Sequence, residues 1–208
     1  EVYQYLMDYC VEWYMANNPE HLLELGNGKK KLPLSDKKNI LLKCVYGSDI
    51  DAHAVEVSKF SLLIKLVEDE TPASIYESVP VLPDLSGNIQ NGNSLISRED
   101  LGTGEITFDL LKSVRPFEWE EFNKGRKFDI IIGNPPYVKI EDIHTLETDE
   151  EFAIYKKKFK TAYKQFDKYF LFMEQALNLL KDNGLMCYIV PNKFFKIVAG
   201  QEIRKLLS

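Results

Sequence analysis

The residues best suited to chemistry stand together at Asn134-Pro135-Pro136-Tyr137, directly after the apolar run Phe128-Asp129-Ile130-Ile131-Ile132-Gly133. Two consecutive prolines hold φ near about −65° and keep the residue before each of them extended. The Asn134 amide and the Tyr137 ring are therefore presented from a stiff bracket. Pro135 has no N–H, but its carbonyl can accept a hydrogen bond. An amide oxygen, a neighbouring carbonyl and an aromatic ring suit a planar group bearing an amino substituent, and a nucleobase has that form. The plainer reading of the same residues is a strand followed by a proline turn.

Such a bracket needs a scaffold. The run 128–133 reads as a buried strand, and ligands sit at strand carboxyl ends in open α/β sheets. A second strand end of this kind is expected at Val45-Tyr46-Gly47-Ser48-Asp49-Ile50-Asp51. A carboxylate there can accept from both hydroxyls of a ribose, which makes Asp49 a candidate ligand. Ile50 would pack on an adenine face, and Asp51 would cap the next helix. The same pattern also occurs as a plain turn.

The other elements follow from spacing. Residues 1–17 predict a helix with Val2, Tyr5, Leu6, Tyr9 and Trp13 on its core stripe. Residues 18–38 read as a polar loop, with Lys29, Lys30 and Lys31 exposed, and 40–46 as a strand. A helix runs from Asp51 to Val67, and a short strand at 88–91 leads into Gly92-Asn93. Residues 94–127 read as an insertion with a helix around Trp119, and 140–151 as an acidic, mobile stretch. Residues 152–180 predict a largely helical segment stopped by Gly184 in a left-handed cap. A buried strand at 185–190 and a helix from Ile197 complete the series. Strands alternating with helices predict an α/β fold with a doubly wound, mainly parallel sheet.

With 208 residues the chain can bury a substantial core. No apolar run is long enough to cross a bilayer, and no secretory signal opens the sequence. Cys10, Cys44 and Cys187 read as buried small hydrophobes in a reducing, cytoplasmic compartment. His21, His53 and His144 are scattered and suggest no metal site. The net charge of −6 does not favour nucleic acid, yet positive charge is clustered. Lys156, Lys157, Lys158, Lys160, Lys164 and Lys168 alternate with Phe159, Tyr163 and Phe166. That stretch suits either a phosphate-tracking surface or the solvated face of a helix.

The motif at 134–137 resembles that of S-adenosylmethionine-dependent amino-methyltransferases, above all the adenine-N6 DNA methyltransferases. The same four residues occur in methyltransferases acting on release-factor glutamine and on RNA bases. The run Phe166-Asp167-Lys168-Tyr169-Phe170 and the run from Gly184 to Pro191-Asn192 also look like this family. The resemblance is closest to the large fused type IIG restriction–modification enzymes, whose methyltransferase domain precedes a target-recognition domain. It implies a Rossmann-like methyltransferase fold, S-adenosylmethionine as cofactor and double-stranded DNA as partner. Asn134, Pro135, Pro136 and Tyr137 would form the catalytic bracket, and Asp49, Ile50 and Asn93 would hold the cofactor. At the place of Asn93 the family usually has an Asp that accepts from the cofactor's adenine amino group; Gly92-Asn93 also reads as a tight turn.

One departure matters. Family members carry a first strand ending in a Gly-rich turn, and the nearest candidate, Leu25-Gly26-Asn27-Gly28, follows no strand. The expectation is therefore a fragment, incomplete at its N-terminus and lacking the target-recognition domain, with activity belonging to a longer protein. Alternatives are a glutamine or RNA-base methyltransferase and a non-catalytic module that binds nucleic acid. In the mechanism so implied, Tyr137 acts through its ring alone, so Tyr137→Phe should be mild. Oligomeric state is left open.

Overall fold

The computed structural model describes residues 1–25, 28–76, 80–102, 106–146 and 148–208. Gly26 and Asn27 of the candidate Gly-rich turn lie outside the described residues. The chain divides into two compact units, Glu1–Asn91 and Gly92–Ser208. Among the described residues there are three two-stranded sheets, two of them parallel, so the fold is mixed α/β. No helix among them is long and apolar enough to cross a membrane.

The first unit opens with α1 (Val2–Asn17). Its buried face is Tyr3 and Met7, not the predicted stripe: Val2, Tyr5, Tyr9 and Trp13 are exposed. Both sets recur every three or four residues, so spacing alone could not choose between them. Tyr3 donates its hydroxyl to the Lys37 carbonyl at 2.9 Å, which decides the face. A small hairpin follows, β1 (Leu23–Glu24) against β2 (Lys30–Lys31). Lys31, expected on an exposed loop, instead shares the Glu70 carboxylate with Lys37, at 2.8 and 2.7 Å.

Helix α2 (Leu34–Cys44) occupies most of the predicted strand 40–46. A short apolar run such as Ile40-Leu41-Leu42 fits either element. Here Leu34, Lys37 and Leu41 line one buried face, and Asp36 and Lys43 sit at the ends the helix dipole favours. The strand itself is the short β3 (Gly47–Asp49), followed by α3 (Ala52–Val67), α4 (Pro72–Tyr76) and β4 (Ile89–Asn91). As predicted, Asp51 caps α3, accepting from the His53 N–H at 2.8 Å. β3 and β4 pair in parallel, with Asp49 opposite Asn91.

The second unit contains α5 (Phe108–Val114), α6 (Trp119–Phe122), β5 (Phe128–Gly133), α7 (Ile140–Leu146), α8 (Asp149–Lys158), α9 (Lys168–Leu179), β6 (Leu180–Tyr188) and α10 (Gln201–Leu207). Its core gathers Leu95, Ile96, Val114, Tyr155, Phe166, Tyr169, Phe170, Met173, Phe194 and Ile203. The acidic stretch 140–151, expected to be mobile, is mostly helical. Ile143 is fully buried, and Thr148 and Glu151 form a reciprocal capping box at the start of α8. The helical segment 152–180 is interrupted by a loop at 159–167, because the buried Glu174 carboxylate captures the Lys160 and Thr161 N–H groups.

β5 and β6 pair in parallel, with Ile130, Ile131, Ile132 and Gly133 opposite Leu185, Met186, Cys187 and Tyr188. The predicted burial of this run is not found: Phe128, Ile131 and Gly133 are half-buried and the other three residues of β5 are exposed. Ile130 and Ile132 are 55% and 57% exposed, as the outward face of a pleated strand. Gly184 is not the left-handed cap. Asn183 takes the positive φ of 64°, and α9 passes straight into extended backbone at Leu180. Gly184 is instead a close approach, since a Cβ there would lie 3.0 Å from the Lys181 carbonyl oxygen. The cysteines also differ from expectation: Cys10 is half-buried, and Cys44 and Cys187 are exposed, at the end of α2 and on the outward face of β6.

Candidate functional site

In the first unit the Asp49–Ile50 turn stands at the carboxyl end of β3. Both residues are exposed. Among the described residues Asp49 Oδ1 accepts only the local Asp51 N–H, at 2.8 Å, so the carboxylate keeps acceptor capacity toward solvent. The turn is clamped from its neighbour strand: Asn91 Nδ2 donates to the Asp49 and Ile50 carbonyls, each at 2.9 Å. Asn88 does the same one turn earlier, donating to the Leu42 and Val45 carbonyls at 3.0 and 2.8 Å. These two amides fix where β3 starts and stops. Sequence reasoning did not single them out, because their roles depend on the β3–β4 register.

In the second unit the four motif residues leave the end of β5 as an extended bracket. Gly133 is required there: a Cβ would lie 2.9 Å from the Tyr188 ring. Burial pushes the Tyr188 phenol up to about 12, so it stays neutral behind the strand end. Pro135 is buried and anchors the bracket, while Asn134, Pro136 and Tyr137 are exposed. The Asn134 carboxamide therefore faces outward rather than into the interior. Among the described residues the Pro135 carbonyl receives no hydrogen bond.

The Tyr137 hydroxyl is engaged as well as the ring. It lies 2.7 Å from Asn134 Oδ1 and 2.5 Å from the Ile189 carbonyl. A phenol has one proton, so it donates to one of these oxygens at a time. The ring is 49% exposed and packs edge-on against Tyr169, with centroids 6.1 Å apart at 87°. Tyr169 is fully buried and donates to the Pro191 carbonyl at 3.1 Å. Burial, with the Asp167 carboxylate, holds its phenol well above the usual range. Tyr137 thus offers an open face from a fixed orientation.

Asn93 occupies a different setting. It is 6% exposed. Its side-chain oxygen receives the Leu95 N–H at 3.1 Å, and its amide nitrogen donates to Glu151 at 3.2 Å. The backbone N–H goes to the Arg115 carbonyl at 2.7 Å. Asn93 therefore locks the turn after β4 to α8 and to residues 115–117, and keeps one lone pair on its oxygen. Gly92 belongs to the same arrangement, because Phe117 would meet a Cβ at 2.7 Å.

Known proteins are similar to this chain in sequence. The profile of a family described as "Eco57I restriction-modification methylase" matches residues 43–208. The type II restriction enzyme and methyltransferase RM.Eco57I of Escherichia coli is 42% identical over 208 residues, covering all of this chain and 20% of that protein. The type II methyltransferase M.BstVI of Geobacillus stearothermophilus is 35% identical over 89 residues, 43% of this chain and 15% of its own length. The type II methyltransferase M.PaeR7I of Pseudomonas aeruginosa is 26% identical over 215 residues, covering the whole chain and 33% of that protein. The chain thus spans from about a seventh to a third of the length of these relatives.

Proposed function

The chain belongs to the Eco57I restriction-modification methylase family, and from that premise we propose that it is part of a DNA adenine-N6 methyltransferase. The substrate is an adenine flipped out of duplex DNA, and the methyl donor is S-adenosylmethionine. Residues 1–208 are read as part of the catalytic domain, with 94–127 as an insertion. The two parallel pairs, each joined through helices, support a doubly wound, Rossmann-like methyltransferase fold. The observation that carries the reading is the outward-facing Asn134 amide, beside a Pro135 carbonyl that receives no hydrogen bond among the described residues and a half-open Tyr137 ring.

The adenine amino nitrogen is a weak nucleophile, because its lone pair is delocalised into the ring. Asn134 Oδ1 and the Pro135 carbonyl each accept one of its N–H groups. This gathers charge on nitrogen and favours a tetrahedral geometry with the lone pair directed outward. Tyr137 stacks on the extruded ring, replacing lost base stacking by about 1–3 kcal/mol. To bind the base, Asn134 Oδ1 either shares its lone pairs with the Tyr137 hydroxyl or releases it to the Ile189 carbonyl, which lies within reach of the same proton.

The donor types at Asp49 and Ile50, in the first unit, and at Asn93, in the second, fit the cofactor. Asp49 has an exposed carboxylate for two ribose hydroxyls, and Ile50 an exposed side chain for the adenine face. Asn93 supports the following turn and has one acceptor position left for the adenine amino group. When bound, S-adenosylmethionine supplies an electrophilic methyl group.

The test is product identification. The intact protein is incubated with methyl-labelled cofactor and, separately, with plasmid DNA, a peptide release factor and ribosomal RNA. The expected product is N6-methyladenine in DNA alone. Label in release-factor glutamine or in RNA would replace the substrate assignment. No label in any of them would favour a non-catalytic binding module.

A further inference from the structure

The run of six lysines between 156 and 168 divides in two. Lys156, Lys158 and Lys168 are used internally. The Lys156 ammonium donates to the Ala162 and Lys164 carbonyls at 3.0 and 3.4 Å and lies 4.8 Å from the Phe166 ring centroid. Lys158 pairs with Asp100 at 2.6 Å, and Lys168 lies 5.6 Å from the Tyr155 ring centroid. Lys157, Lys160 and Lys164 are exposed and form no ion pair among the described residues.

The three outward lysines sit at the end of α8 and on a loop that is fixed from beneath. Glu174, itself buried, holds the Lys160 and Thr161 N–H groups at 3.1 and 2.8 Å. Phe159, Ala162 and Phe166 are buried, and Lys156 staples the far side. Lys164 is held at a φ of 53°, a left-handed conformation that a lysine rarely adopts. Its ammonium lies 5.1 Å from the Tyr163 ring centroid.

The loop is joined to the catalytic bracket. The residues that follow Tyr137 pair with the end of the loop: Lys168 N–H donates to the Val138 carbonyl at 2.8 Å, and Ile140 N–H to the Phe166 carbonyl at 3.2 Å. Lys139 and Asp167 form an antiparallel bridge between them. A pre-ordered set of cations is thereby tied to the backbone that presents Asn134 and Tyr137.

We infer that Lys157, Lys160 and Lys164 bind the phosphodiester backbone of duplex DNA beside the flipped nucleotide. The inference rests on the methyltransferase reading above. Phosphate contacts of this kind position the duplex without reading its sequence. They release counterions, so each contributes to the salt dependence of binding, with a slope of about 0.9 per neutralised phosphate.

The test uses the intact protein and a variant combining Lys157→Gln, Lys160→Gln and Lys164→Asn. Asparagine is chosen at 164 because it tolerates the left-handed backbone. Binding to a labelled duplex is measured by fluorescence anisotropy across a salt series, with circular dichroism and cofactor titration as controls for folding. The variant should lose affinity equally for duplexes of different sequence, and its log–log salt slope should fall by about 1 to 3. Replacement of all three by arginine should keep the wild-type slope. An unchanged slope in the folded triple variant, with wild-type binding and methylation intact, would overturn this inference alone. A loss confined to RNA or to one DNA sequence would also overturn it. A wild-type protein that neither binds nor methylates duplex DNA would overturn the underlying reading and the inference with it. If the triple variant does not fold, Lys157→Gln and Lys160→Gln singly should each lower the slope by about 1, and no change in either would contradict the assignment.

Discussion

The carboxyl ends of β3 and β5 each carry candidate site residues, and they are built in opposite ways. At β3 the candidate ligand side chain stands apart from the device that positions it. Asn91 grips the backbone of the Asp49–Ile50 turn, and among the described residues the Asp49 carboxylate engages only the local Asp51 N–H. At β5 the two are the same residues. The Tyr137 hydroxyl touches the Asn134 oxygen that the proposed chemistry requires, and the ring that would stack on a base carries that hydroxyl. Changes at the first end should alter affinity without disturbing geometry, whereas changes at the second should couple binding to reactivity.

The largest expected effect is Asn134→Ala. Methyl transfer should fall by about 10²-fold or more, comparable to removing one preorganised stabilising group, while cofactor affinity survives. Single-turnover rates beside a calorimetric titration would check both halves, and retained turnover would discard the role given to Asn134. Next is Asp49→Ala. Loss of charge-assisted hydrogen bonds worth about 1.5–3 kcal/mol should weaken cofactor binding by roughly 10- to 100-fold, with the maximal rate little changed. A matching fall in rate at saturating cofactor would erase the contrast between the two ends. The smallest is Tyr137→Phe. One lost hydrogen bond, about 1 kcal/mol net, should slow transfer by about 5-fold while base stacking is retained. An undisturbed Phe variant would mean that the ring suffices and that the hydroxyl only marks the resting position.

Much of this was legible in the residues. The Asp51 cap, the β4 and β5 strands and the helix at Trp119 all carry local signals, in side-chain chemistry or spacing. The bracket at 134–137 was readable because proline constrains its own backbone and its neighbour's. What escaped depends on partners distant in sequence. The core face of α1 was set by a hydroxyl reaching Lys37, 34 residues away. The helical state of 34–44 followed from burial of Leu34, Lys37 and Leu41 together. The Asn91 clamp needed the register of two strands, and the Tyr137 hydroxyl needed a carbonyl 52 residues further on. Neither leaves a local trace.

The central claim is that the Asn134 side-chain oxygen and the Pro135 carbonyl together accept an exocyclic amine. A crystal structure of the intact protein with duplex DNA and a cofactor analogue lacking the transferable methyl would test it most directly. The account predicts an extruded adenine over the Tyr137 ring, its amino nitrogen within about 3.2 Å of both oxygens. An extruded base whose amino group faces away from both oxygens, with Tyr137 still donating to Asn134, would contradict it.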